Sequence, residues 1–249
     1  MVIESREDTL GQRARSLVAL SERFPSPTGR LDEGPGDLLD ELILFTLRNR
    51  SARPNADSAF AELRRRFATW HELTEIPLVE IETAIHPAGL VHQRADLIQK
   101  LVVRIETDFP DGSYGTIRHW DDLATLRYLL SLPGIGQFAA YQVMLYVLGR
   151  PVLPVAWPLN RLLTRLGIVD QTVPPEAILD AAAALLAPGE HRVLYDNLLD
   201  HARTVCIPRA PRCRHCQLND LCVYYKRVRQ RRGLVGLEPV ETPVGWSES

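Results

Sequence analysis

Apolar residues along this chain recur at spacings of three and four, between short breaks marked by glycine and proline. No run alternates with the period of two that a half-buried strand requires. The pattern predicts an all-α protein with helices near 8–23, 37–50, 55–67, 77–85, 92–107, 122–131, 137–148, 158–166, 175–186 and 190–205. Asp37 is placed to cap LLDELILFTL, which is apolar enough to be a core helix. The stretch SPTGRLDEGPG (26–36) is a breaker-rich loop whose end marks a crossing between domains. From residue 226 the chain turns basic, then rich in Pro, Gly, Glu and Ser with little to bury, which predicts a disordered tail over 226–249.

Composition adds few constraints. With 249 residues, 45% of them hydrophobic and 24% charged, the chain is an ordinary globular one. No apolar stretch is long enough to span a bilayer, and MVIESREDTL has no signal core; a cytoplasmic monomer with no membrane partner is expected. The net charge of −2 hides an asymmetry. Between His201 and Arg232 lie Arg203, Arg209, Arg212, Arg214, Lys226, Arg227, Arg229, Arg231 and Arg232, against Asp220 alone. Such a cluster is either a solvated basic tail or an electrostatic footprint for nucleic acid. Lys100 and Lys226 are the only lysines.

Leu132-Pro133-Gly134-Ile135-Gly136 separates an amphipathic helix from the apolar AAYQVMLYVLG. Two glycines around one aliphatic residue permit a tight turn, with Ile135 anchoring it in the core. Within the turn Pro133–Gln137, the N–H groups of Gly134, Ile135, Gly136 and Gln137 and the positive end of the new helix then converge on an anion site suited to phosphate. Contact with backbone phosphate fixes position and carries no sequence information.

All four cysteines fall in one short segment, as Cys206-x6-Cys213-x2-Cys216-x5-Cys222. Four thiolates gathered from so short a stretch make a metal or cluster site. A structural zinc site usually pairs two CxxC-type knuckles, whereas here a single CxxC is flanked by wider gaps, which suits a 4Fe-4S cluster. Zinc and a pair of disulfides stand as alternatives.

The cysteine spacing, following a PGIG hairpin and LGRPVLPV, resembles the iron–sulfur DNA glycosylases of the endonuclease III type, within the helix-hairpin-helix superfamily. The resemblance runs from about Leu17 to Tyr225. It implies a two-lobed fold: a six-helix bundle over 37–148 that ends in the hairpin, and a cluster lobe formed by 1–36 with 149–225. It further implies that DNA is the partner, that base excision repair is the setting, and that Arg209 and Arg212 of the cysteine loop lie against the DNA backbone.

The same resemblance exposes departures where its chemistry should sit. Bifunctional members use a lysine two residues after the second hairpin glycine, and here that residue is Phe138. The aspartate that supports the developing sugar cation aligns with Ala156, followed by Trp157 and Pro158. Arg161 and LLTRLG keep the register. Lys100 lies before the hairpin and Lys226 beyond the cysteines, so neither replaces the lysine. Asp170 and Asp196 are the nearest downstream acids, with no spacing that directs either to the site. No catalytic residue can be assigned. Phe138, Ala156 and Trp157 form a remodelled pocket, in which the aromatics either fill the old site or offer a stacking surface for an unpaired base. The loop that plugs the gap left by a flipped base is replaced by Leu47–Ser51, whose Arg48 and Arg50 would reach phosphates instead. The expectation is a DNA-binding protein of this superfamily without the usual glycosylase and lyase chemistry. The alternatives are a monofunctional glycosylase of unfamiliar specificity and an iron–sulfur interaction module that has left DNA.

Overall fold

In the computed structural model, which describes residues 6–24 and 37–231, eleven α-helices and short 3-10 turns form the regular structure, and no strand occurs among the described residues. In chain order the helices are α1 (Arg6–Val18), α2 (Leu38–Arg48), α3 (Arg53–Arg66), α4 (Leu78–Ile85), α5 (Val91–Asp108), α6 (Asp122–Ser131), α7 (Gln137–Tyr146), α8 (Trp157–Leu166), α9 (Pro175–Ala183), α10 (Glu190–Thr204) and α11 (Val223–Arg231). They divide between two compact units, Glu33–Arg150 and Met1–Asp32 with Pro151–Ser249. None is long and apolar enough to cross a membrane.

The Glu33–Arg150 unit holds six helices, among them the central α2, which packs on α3, α5 and α7. Seven of the eleven α2 residues are buried, so this helix presents apolar surface nearly all round, as a central helix must. Its N-terminus is closed by Asp37, whose carboxylate accepts from the Leu39 N–H at 2.9 Å and the Asp40 N–H at 3.3 Å. On α5 the buried residues Arg94, Ala95, Ile98, Leu101, Val102 and Ile105 form one helical stripe, into which an arginine has been admitted.

In the other unit α1 packs on α9, and α8 packs on both α10 and α11. Helix α8 buries Leu159, Leu162, Leu163 and Leu166, the i, i+3, i+4, i+7 stripe of an amphipathic helix, leaving Arg161 and Arg165 on another face. Gly167 ends α8 at φ +85°, and a Cβ there would stand 2.7 Å from Val223 of α11, so glycine is required twice over.

Helix α11 corrects the expectation of a disordered tail from residue 226. Residues 226–231 are helical, because α11 packs on α8, Val223 meets Gly167, and the Lys226 N–H bonds the Cys222 carbonyl at 3.1 Å. The few apolar positions of VYYKRVRQR conceal a helix held by its first turn. The remainder of that expected tail, 232–249, lies outside the described residues, as does the loop expected over 26–36.

Candidate functional site: the hairpin, the cysteine cavity and the start of helix α8

Helix α6 closes at Leu132, and the chain turns through Gly134 at φ +71° before α7 opens at Gln137 with Gly136 as its N-cap. A Cβ on Gly134 would lie 2.6 Å from Leu97 of α5, so this turn seats directly on the bundle. Ile135 is buried, while Gly134, Gly136 and Gln137 are exposed. The first N–H groups of α7 lack intrahelical partners, and the hairpin leaves them at the surface with the positive end of the helix dipole. No acidic residue occupies the first turn of α7.

All four cysteines line one small, partly open cavity together with Leu162, Arg165 and Tyr224. None is in a disulfide, which removes the disulfide alternative from the structure. Among the described residues no group of three or more His, Cys, Asp or Glu side chains is gathered so as to hold a metal ion; the thiols instead share a cavity wall. Burial pushes up the thiols of Cys213, Cys216 (to about 11) and Cys222. The Leu218 N–H donates to the Cys216 Sγ at 3.4 Å, and the buried His201 places Nε2 3.3 Å from the same sulfur. Burial also lowers the pKa of His201, favouring its neutral form.

Two arginines one turn apart on α8 hold the start of the cysteine loop. Arg161 donates to the carbonyls of Cys206 (3.0 Å) and Ala202 (2.6 Å). Arg165 donates to those of Ile207 (2.8 Å) and Pro208 (2.9 Å), places Nη1 3.4 Å from the Cys206 Sγ, and stacks on Tyr224. The loop closes through the Arg212 N–H to the Val205 carbonyl at 3.0 Å, leaving Arg209 and Arg212 exposed. The i, i+4 spacing of Arg161 and Arg165 was visible in the sequence; their targets, some forty residues away, were not.

At the other end of α8, Ala156 is the N-cap, with extended backbone (φ −92°, ψ 144°) and no side-chain cap. It is 5% exposed. The helix opens at Trp157, so Pro158 is its second residue rather than its first. Trp157 is 68% exposed and Phe138, on α7, is 40% exposed, against Phe45 at a ring distance of 6.3 Å.

Of the residues at the Leu47–Ser51 loop, Arg48 is tied to Asp57 by two hydrogen bonds, at 3.1 and 2.7 Å, so its reach is curtailed. Arg50 is exposed and held at φ +59°, an unusual conformation for a side chain of this kind. The residue that the sequence reading missed here is Arg94. It is 4% exposed and donates to the carbonyls of Asn49, Ala88 and Gly89, joining the Arg50 loop to the turn before α5. That turn carries Leu90, 54% exposed at φ +49°. A signal for Arg94 did exist: an arginine in register with the apolar stripe of α5. Arg94→Met keeps the buried stem but deprives three carbonyls of their donor. We expect a loss of about 3 kcal/mol, read as a lower urea midpoint with unchanged slope.

The candidate substitutes for the absent acid and amine are engaged elsewhere. Asp170 pairs with Arg13 at 2.6 Å and caps Thr172 at 2.8 Å, contacts that hold its carboxyl well below the usual range. Asp196 lies 3.8 Å from Arg192 on its own helix, and Lys100 pairs with Asp96 at 2.7 Å.

An all-helical chain with this hairpin has the fold of the helix-hairpin-helix DNA glycosylases. A solved non-covalent endonuclease III–DNA complex matches it with a TM-score of 0.68 at 23% identity, over 88% of this chain and 98% of that one. No protein-family model matches the sequence. Individual relatives do: endonuclease III of Bacillus subtilis (strain 168) is 30% identical over 164 residues, 64% of this chain and 68% of the relative. The thymine/uracil-DNA glycosylase of Pyrobaculum aerophilum is 28% identical over 199 residues, covering 77% and 83%. The chain belongs to the endonuclease III family.

Proposed function

We propose that this protein binds duplex DNA through Pro133–Gln137 and the exposed Arg50, Arg209 and Arg212, and lacks the usual base-removal and lyase chemistry of its family. The observation that carries this reading is the methyl side chain of Ala156 at the start of α8, where the family resemblance places the aspartate. The amine position is likewise a phenyl ring, Phe138. Removing one positioned acid–base group costs about 10²–10⁴ in rate, and here both groups are replaced. A cytoplasmic, chromosome-associated monomer is part of the same proposal.

Cys206, Cys213, Cys216 and Cys222 would hold a 4Fe-4S cluster. The four thiols line a single shared cavity, and donors to sulfur from Leu218 and Arg165 suit thiolate ligands. When bound, the cluster supplies a rigid cross-link for the segment 206–222, and with it the placement of Arg209 and Arg212. Arg161 and Arg165 orient the first ligand strand from α8 whether or not the cysteines are loaded.

Binding to paired duplex is expected to weaken steeply with salt, log K falling by roughly 0.9 per phosphate neutralised, and Arg209→Ala with Arg212→Ala should reduce that slope by about two. A flat salt response would instead favour an interaction module that no longer meets DNA. The direct test of lost chemistry is a panel of duplexes with oxidised, alkylated, deaminated and mismatched bases. Release of any base above background would establish the second reading, a monofunctional glycosylase. That reading draws on the thymine/uracil-DNA glycosylase relative and on the exposed ring of Trp157.

A further inference from the structure

Trp157 is the most exposed of the large apolar side chains described, although an indole left in water forgoes the burial its area would allow. It is not loosely held. The Arg161 guanidinium carbon lies 4.7 Å from the ring centroid, and Arg161 is itself pinned by the carbonyls of Cys206 and Ala202. Pro158, the next residue, fixes the backbone of the same turn. One face of the indole is thus backed by an immobile cation, and its exposure leaves the other to solvent. Pre-ordering of this kind lowers the entropy lost when a ligand stacks.

The surroundings select the ligand. The first turn of α8 carries no acid, and the loop whose start Arg161 holds presents Arg209 and Arg212 to solvent. A flat ring backed by one arginine, in the same unit as the exposed Arg209 and Arg212, fits a nucleobase, which offers a π-face to the indole. Ala156, small and buried, adds no carboxylate to repel a phosphate.

We propose that Trp157, set in place by Arg161, is a stacking platform for an unpaired base, so that this protein recognises duplexes carrying an unpaired nucleotide. The inference rests on the DNA-binding reading above and deepens it: phosphate contacts give general affinity, and the indole discriminates.

The test uses the full chain and two short duplexes, one fully paired and one with 2-aminopurine as a single-base bulge. Binding should quench the 2-aminopurine emission, and the bulged duplex should bind about ten-fold tighter than the paired one. Trp157→Ala should abolish the quenching and bring the two affinities within about two-fold, while Trp157→Phe should keep most of both effects. Quenching and preference that persist in Trp157→Ala overturn the proposal. Equal, salt-dependent binding of both duplexes by the unaltered chain, without quenching, also overturns it and leaves the phosphate reading standing. Absence of salt-dependent binding to either duplex overturns both.

Discussion

The double variant Phe138→Lys/Ala156→Asp is expected to form a borohydride-trapped covalent complex with abasic duplex DNA, and the unaltered chain is expected to form none. The two positions differ in how they receive the change. Phe138 is the second residue of α7 and partly exposed, so a lysine there can extend into solvent without displacing core. The positive end of the helix dipole destabilises an ammonium, which increases the neutral amine available for Schiff-base formation. At Ala156 the extended backbone is the one an N-cap aspartate adopts. Pro158 lacks an N–H, so the new carboxylate can accept only from Leu159 within that turn, and the capping gain is held to about 1 kcal/mol or less. Each restored group should raise the rate by about 10²–10⁴, with the pair acting together. The measurement is the yield of trapped adduct for both single variants, the double variant and the unaltered chain. An inert double variant would show that these two positions are not the only block, and the Arg48–Ser51 loop is the next to restore.

Cys213→Ser is expected to abolish the brown visible absorption of the anaerobically purified protein and to lower its stability by several kcal/mol, since metal-binding energy in such a loop is folding energy. The reason lies in how little else orders the segment. Between α10 and α11 it contains only a three-residue 3-10 turn, and Leu218 is its one apolar residue fully withdrawn from solvent. Chelation of iron should reproduce the effect in the unaltered chain. A colourless unaltered protein containing zinc, or a Cys213→Ser variant that melts with the unaltered chain, would end the cluster reading. Arg209 and Arg212 ride on this loop, so the variant should also lose DNA affinity.

Much of the fold could be read directly from the chain. Helices at nearly every expected place follow from apolar spacing, and Asp37, Gly134 and Gly136 punctuate them where a cap or a turn demands those residue types. The cysteine spacing likewise brought attention to the cavity. What escaped the sequence reading shares one physical character: each feature depends on partners far along the chain. Arg94 looks like a misplaced charge until the carbonyls of Asn49, Ala88 and Gly89 are seen around it. Helix α11 has too few apolar positions to announce itself, and is specified by the space that Gly167 leaves for Val223. Whether Trp157 fills a site or stands in water is decided by what surrounds the start of α8, which periodicity cannot report.

By itself the sequence determined the helical class, the glycine-punctuated hairpin, the cysteine set, and the residues, Phe138 and Ala156, at which the proposed loss of the family's amine and carboxylate is to be tested. These are properties of residue type and local spacing, and local backbone geometry follows from them. Only the tertiary structure decided that Arg161 and Arg165 clamp the cysteine loop, that Asp170 is spent on Arg13, and that Trp157 remains exposed. Those outcomes depend on which groups meet across 42 to 157 residues, where packing and hydrogen-bond satisfaction, rather than propensity, choose the partners.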